Sequence, residues 1–167
     1  EIDNLRDGLF YFIKNLDEST IKGASNFYIN ILGSLQDIAQ SLEYIAKITF
    51  KHVNNNHKSL TFNQIRELKE INLQLDILFE RIKYSFSKNN FKEINNILGT
   101  EQSLYDSVKE KINIQISRTK EEESSPKNTT LYFSILTETK DLIKATVSLL
   151  KLYNEEYDSK IDPPKLS

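Results

Sequence analysis

The sequence predicts an all-α fold: an antiparallel helical bundle of about five helices, forming one domain with an internal repeat. Three observations carry that expectation. Apolar residues recur at alternating steps of three and four over long stretches, which places them on one side of an α-helix. Three Pro and four Gly in 167 residues leave room for long unbroken helices. No stretch reads as a credible strand.

Residues 2–17 form the first predicted helix, through Ile2, Leu5, Leu9, Phe12, Ile13 and Leu16. Within it, Leu9, Phe10, Tyr11, Phe12 and Ile13 are apolar around too much of the helix for a single buried face. Two destinations stay open for this run: the domain's own core, or a second copy or a membrane-embedded partner. Residues 17–25, with Gly23, read as a connector.

The stretch 27–53 is the predicted centre of the bundle. Its stripe of Tyr28, Ile31, Leu35, Ile38, Leu42 and Ile45 is flanked by a heptad column of Leu32, Ala39, Ala46 and Val53. Asn54, Asn55 and Asn56 end it, because their side chains compete for backbone hydrogen bonds. Thr61 opens the next helix with capping-box spacing to Gln64, and Leu60 and Ile65 fit a hydrophobic staple. Its stripe of Ile65, Leu68, Leu75, Phe79, Ile82 and Phe86 runs to about Ser87.

A tight turn at Lys88-Asn89-Asn90 implies an antiparallel neighbour, which carries Phe91, Ile94, Leu98, Tyr105, Val108 and Ile112. Residues 118–123 are wholly polar and are expected to project beyond the core. Ser124-Ser125-Pro126 breaks the helix, since proline lacks an amide hydrogen. The last helix runs to about Tyr157, and 162–167 is a frayed tail. It echoes 27–53: Tyr28, Ile31, Leu32, Asp37 and Lys47 meet an identical Tyr132, Ile135, Leu136, Asp141 and Lys151. The two stretches are expected to be the central pair of the bundle, with Leu35, Ile38, Leu42 and Leu142 buried.

Composition narrows the function classes. Net charge is −2, from 22 basic and 24 acidic residues that are interspersed, so no basic field invites nucleic acid. No Cys is present, which removes disulfides and thiolate metal sites. The longest wholly apolar run, 9–13, is too short to cross a bilayer. The chain carries no Met and begins at Glu1, so a leader or a larger protein is expected before it.

No Gly-rich phosphate loop, zinc spacing or nucleophile elbow is present. His52 and His57 flank the Asn run at a spacing that does not suit a helical ligand pair, and both are expected to be solvated loop residues. The carboxylate pairs Asp3/Asp7, Asp76/Glu80 and Asp106/Glu110 read as solvated helix faces. Phe12, Phe27, Phe50, Phe79, Phe86, Phe91 and Tyr132 read as core packing. No catalytic, cofactor or metal residue is assigned.

The echoing runs Tyr28-x-x-Ile31-Leu32-x-x-Leu35-x-Asp37-Ile38-Ala39 and Tyr132-x-x-Ile135-Leu136-x-x-Thr139-x-Asp141-Leu142-Ile143 resemble the paired core helices of PhoU-like domains. Lys51-His52-Val53-Asn54-Asn55-Asn56-His57-Lys58, the run from Asn90 to Ile97, and Leu131-Tyr132-x-x-Ile135-Leu136-x-Glu138-Thr139-Lys140-Asp141-Leu142 are similar to the cytosolic C-terminal domain of sodium/phosphate cotransporters, the Bacteroides-type members in particular. The resemblance covers roughly residues 20–157 and implies two similar three-helix repeats.

Metal-binding members of that family carry Glu-x-x-x-Asp on each of these helices. The matching places here hold Gln36 and Gln40, and Lys140 and Lys144, so the family's metal site is not carried over. A one-residue shift pairs Asp37 with Ser41 and Asp141 with Ala145, which restores nothing. The implied role is a non-catalytic regulatory or scaffolding domain of a sodium-dependent phosphate transporter, at the cytoplasmic face of a bacterial inner membrane. Its implied partners are the transmembrane portion of the same protein and, as the other option, a second copy in a homodimer. A secreted or lipid-anchored helical surface protein is the competing reading, and a metal-dependent helical enzyme is the weakest.

Overall fold

The computed structural model describes residues 18–88, 90–120 and 125–156, together with five positions between 4 and 14. Among the described residues the chain is helical and has no strand. Helix α1 spans Glu18–Asn54, α2 Phe62–Ser87, α3 Ile94–Lys120 and α4 Pro126–Glu156, with a short 3-10 turn at Phe91–Glu93 before α3. Asn4, Asp7, Gly8, Tyr11 and Lys14 are helical, but the rest of the first predicted helix and the frayed tail lie outside the described residues. So does most of the 9–13 run, of which only Tyr11 is described, and it is exposed.

Each described boundary has a local cause. The capping box of α2 is complete: the Gln64 amide donates to Thr61 Oγ1, and the Thr61 amide donates to Gln64 Oε1. Leu60 packs on the core while Ile65 remains exposed, so the staple's two residues face different surroundings. Asn56 adopts φ 53°, the left-handed conformation that asparagine tolerates, and turns the chain after α1. Pro126 stands at a helix start. It sits at the first position of α4, where no amide hydrogen is needed, behind Ser125, whose Oγ accepts from the Asn128 amide.

The connector expected at 17–25 is not one, because α1 already begins at Glu18 and runs through Gly23. One glycine costs a helix only about 1 kcal/mol, too little to stop a helix of 37 residues. Gly99, in α3, is exposed and nothing lies within 4 Å of an added Cβ. Gly99→Ala is therefore expected to raise stability by about 0.5–1 kcal/mol, read as a higher urea midpoint at unchanged m-value. A lower midpoint would mean that this face of α3 is covered.

Side-chain contacts fix the helix directions. Ser41 meets Glu138 and Phe27 meets Tyr153, so α1 and α4 are antiparallel. Gln64 meets Gln115 and Arg81 meets Thr100, so α2 and α3 are antiparallel too. Helix α4 packs against both α1 and α3, and α3 packs against α2. Tyr153 joins the two sides through edge contacts with Phe27 of α1 and Phe86 of α2.

The core does not centre on 27–53. Its buried members are Ile71 and Leu78 of α2, Ile94, Ile97, Leu104 and Val108 of α3, and Tyr132, Leu136, Ile143 and Leu150 of α4. Among the α1 residues whose burial is described, the buried ones are Ser34, Ser41 and His52. Leu142 is buried as expected, but Leu35 and Ile38 are only half-buried and Leu42 is 51% exposed. The reason is rotational. The small side chains of Ser34 and Ser41 are turned into the fold, which leaves the apolar stripe beside the contact rather than in it.

The echoing positions accordingly have different surroundings. Tyr132 and Leu136 are fully buried, whereas Tyr28 and Leu32 are half-buried. Phe50, expected in the core, is 71% exposed. Phe27, Phe79 and Phe86 are half-buried, while the side chains of Phe12 and Phe91 lie outside the described residues. No described helix is long and apolar enough to cross a membrane.

Candidate functional site

Two polar groupings and one uncovered apolar face stand out from the packing. The first grouping lies where the start of α2 meets the end of α3 and the start of α4. Arg118 donates from Nη1 to Glu67 Oε2 at 2.9 Å and from Nη2 to Oε1 at 2.7 Å, a two-pronged ion pair. Tyr132, fully buried, donates its hydroxyl to Glu67 Oε2. Gln64 Nε2 donates to Gln115 Oε1 at 3.1 Å, and both side chains are fully buried. Asn128 Nδ2 donates to the Ser59 carbonyl at 2.7 Å and ties the loop before α2 to α4.

The electrostatics follow from this geometry. Burial pushes the Glu67 carboxyl upward. Hydrogen bonds from Arg118 and Tyr132, with the charges of Arg118 and Lys111, outweigh burial and hold it below its ordinary value of 4.5. Burial and the neighbouring Glu67 carboxylate raise the Tyr132 phenol far above its usual range, so it stays a donor. Every side chain in the grouping makes at least one bond to another part of the protein, while Gln115 Nε2 and Asn128 Oδ1 are buried without a hydrogen-bond partner. It has the character of a structural clasp, with no nucleophile beside a base. Arg118 thus turns back into the fold, correcting the expectation that 118–123 projects as a polar tip; 121–124 lie outside the described residues.

His57 lies in the loop as expected, half-buried, whereas His52 departs from expectation. His52 is buried at the last turn of α1 and donates from Nε2 to the Lys58 carbonyl at 3.0 Å, while its ring lies 5.0 Å from that of His57. Its role is to fasten the loop that follows α1. Among the carboxylate pairs, Asp76 accepts from Asn72 and Glu80 is paired with Lys83, on an exposed face of α2. Asp106 and Glu110 are exposed on α3, and Asp3 lies outside the described residues.

The second grouping includes Gln40 and Lys144, two of the four residues at the places the resemblance marks. A cleft of about 330 Å³ between α1 and α4 is lined by Asp37, Gln40, Ser41, Glu138, Asp141 and Lys144. The shifted register faces it, because Asp37, Ser41, Asp141 and Ala145 all line the cleft. Ser41 donates to Glu138 at 3.0 Å, and the Lys144 ammonium stands 3.5 Å from the Asp141 carboxylate. Gln36 and Lys140 are half-buried and do not line it. Among the described residues no three His, Asp or Glu side chains converge as a metal cage requires.

The apolar face belongs to α1. Leu42, Phe50 and Val53 are more than half exposed, and the exposed Ala46 continues the same side of the helix. No family model, curated protein or solved structure matches the chain.

Proposed function

We propose that this chain is a non-catalytic contact domain that regulates or scaffolds a membrane transporter, a sodium-dependent phosphate transporter being the one its sequence resemblance implies. The observation that supports this reading is the exposed side of α1, with Leu42 51%, Phe50 71% and Val53 67% exposed on a helix packed along α4. An apolar stripe of this kind on a stiff helix is a surface for another helix. The domain would act by binding one conformation of its partner more tightly than another.

On this reading α1 and α4 are corresponding helices of a PhoU-like repeat, and the partner is the transmembrane portion of the same protein or a second copy. The location would be the cytoplasmic face of a bacterial inner membrane. The competing reading, a secreted or lipid-anchored binding module, uses the same surface with an external partner.

The test introduces Leu42→Glu and Phe50→Glu into the full-length protein, both exposed positions where the fold should tolerate charge. Altered sodium-driven phosphate uptake at unchanged abundance is expected. Unchanged uptake would overturn the regulatory contact, and recovery of the protein outside the cytoplasm would favour the surface module.

A further inference from the structure

Helix α2 carries apolar residues on the side away from its packing. Its buried residues, Gln64, Glu67, Ile71, Leu78 and Ser85, turn toward α3 and the core. On the opposite side Phe62, Leu73, Ile77 and Tyr84 are each more than half exposed. Phe62, Leu73 and Tyr84 stand eleven residues apart, close to three full turns, so they fall in one line along the helix. Ile77 lies beside that line, one turn after Leu73. Single exposed apolar residues are ordinary, whereas four in one stripe make a patch of the kind that marks a contact.

The charges on this side are sorted along it. Arg66 and Lys69 precede Leu73, while Asp76 and Glu80 follow it, and all four are exposed. Arg66 lies seven residues before Leu73 and Glu80 seven after, just as Phe62 and Tyr84 lie eleven to either side. Turned end for end about Leu73, the stripe therefore meets its own complement: Phe62 opposite Tyr84, Arg66 opposite Glu80, Leu73 opposite itself. Lys69 and Asp76 are nearly two turns apart and share one flank, so the same rotation sets each beside the other's counterpart. Glu70, on the other flank, is drawn aside by Lys111 of α3 at 3.2 Å. The ion pairs within α2, Arg66 with Glu70 at 3.9 Å and Lys83 with Glu80 at 3.3 Å, are exposed and compete only weakly.

We propose that α2 pairs antiparallel with α2 of a second copy of this chain, about a two-fold axis at Leu73. The charge order selects this occupant. A uniformly acidic or basic partner would complement one half of the stripe and be repelled by the other. Parallel pairing of two copies would set Arg66 against Arg66 and Glu80 against Glu80. Only the reversed copy satisfies both halves at once, as an isologous interface requires. From Phe62 to Tyr84 the stripe runs about 33 Å at 1.5 Å per residue. One helix pair of that length is at the small end of stable interfaces, so a dissociation constant of roughly 10–100 μM is expected. The pairing goes beyond the contact assigned to α1, since it uses a different helix.

Sedimentation equilibrium of the chain from roughly 1 to 500 μM brackets that range and should show a monomer–dimer equilibrium. Arg66→Glu with Lys69→Glu should weaken it at least about tenfold, and so should Asp76→Lys with Glu80→Lys, because like charges then face each other. Mixed in equal amounts, the two double variants should dimerise again, since each carries the charges that the other now needs. Orientation is read by cross-linking, which the absence of native cysteine makes clean. With a short bis-maleimide, Leu73→Cys should link to itself, and Phe62→Cys should link to Tyr84→Cys but not to itself. A chain that stays monomeric over the whole range, a dimer that both charge reversals leave intact, or Phe62→Cys linked to itself would overturn the proposal. A dimer lost instead through Leu42→Glu and Phe50→Glu would also overturn it, assigning the pairing to α1.

Discussion

Replacing Arg118 by methionine is expected to lower the unfolding free energy by about 3–5 kcal/mol at neutral pH, the cost of stranding a buried charge. Glu67 is 5% exposed, and Arg118 satisfies both of its oxygens. Without the guanidinium, the carboxylate keeps its desolvation penalty and retains the Tyr132 hydroxyl and the more distant Lys111 charge. Adding Glu67→Gln to Arg118→Met should recover much of the loss, because the uncompensated charge goes with it, and a double-mutant cycle measures the coupling directly. The pH dependence has a definite sign. The Glu67 carboxyl is depressed below 4.5 in the folded protein, so its stabilising contribution is present above that value and disappears as pH falls through the folded pKa. The gap between wild type and Arg118→Met should thus be widest near neutrality and narrow in acid, in urea titrations at a series of pH values. A loss below 1 kcal/mol at neutral pH would show that Glu67 is hydrated rather than clasped.

The sequence made the helices legible because each was written in local chemistry: three-four spacing along every stretch, Thr61 and Gln64 at capping-box distance, an Asn run after α1 and Pro126 at a boundary. Which stripe would be buried deepest was not legible. The stripes of α1 and α4 share Tyr, Ile and Leu at matching places, yet burial depends on what lies opposite, and α4 has α2 and α3 beside it. The clasp left a signal that periodicity alone could have found. Gln64 and Glu67 fall on the same helical side as Ile71 and Leu78, while Glu101 and Gln115 share the column of Ile94, Ile97, Leu104 and Val108. A polar residue on a core column has to find a buried partner. Which ones pair with each other, and which keep a buried atom without a hydrogen bond as Glu101 does at Oε2, is decided by helix rotation, which no single sequence specifies. His52 stands in the last turn of α1 beside the Asn run, and nearness to a loop does not make it solvated, because the rotation of the helix carries its imidazole inward onto the Lys58 carbonyl.

Leu136→Ala is expected to cost about 2–5 kcal/mol, and Leu42→Ala no more than about 0.5 kcal/mol, although the two leucines lie on stripes that read alike in sequence. Leu136 has no exposed surface and belongs to the cluster shared by α2, α3 and α4, so truncation removes its transfer free energy and leaves a cavity that three helices must collapse to fill. Leu42 is 51% exposed on the outer side of α1, where water already occupies the space a methyl group would vacate. Urea unfolding of the two variants measures the contrast. A cost for Leu42→Ala above about 2 kcal/mol would place it under cover in solution, with the first predicted helix or a second copy lying on α1. In that event the stripe would be part of a closed core, and charge at Leu42 or Phe50 would act through stability rather than through a partner. A cost near zero keeps the face of α1 available, which is the condition the proposed contact function requires.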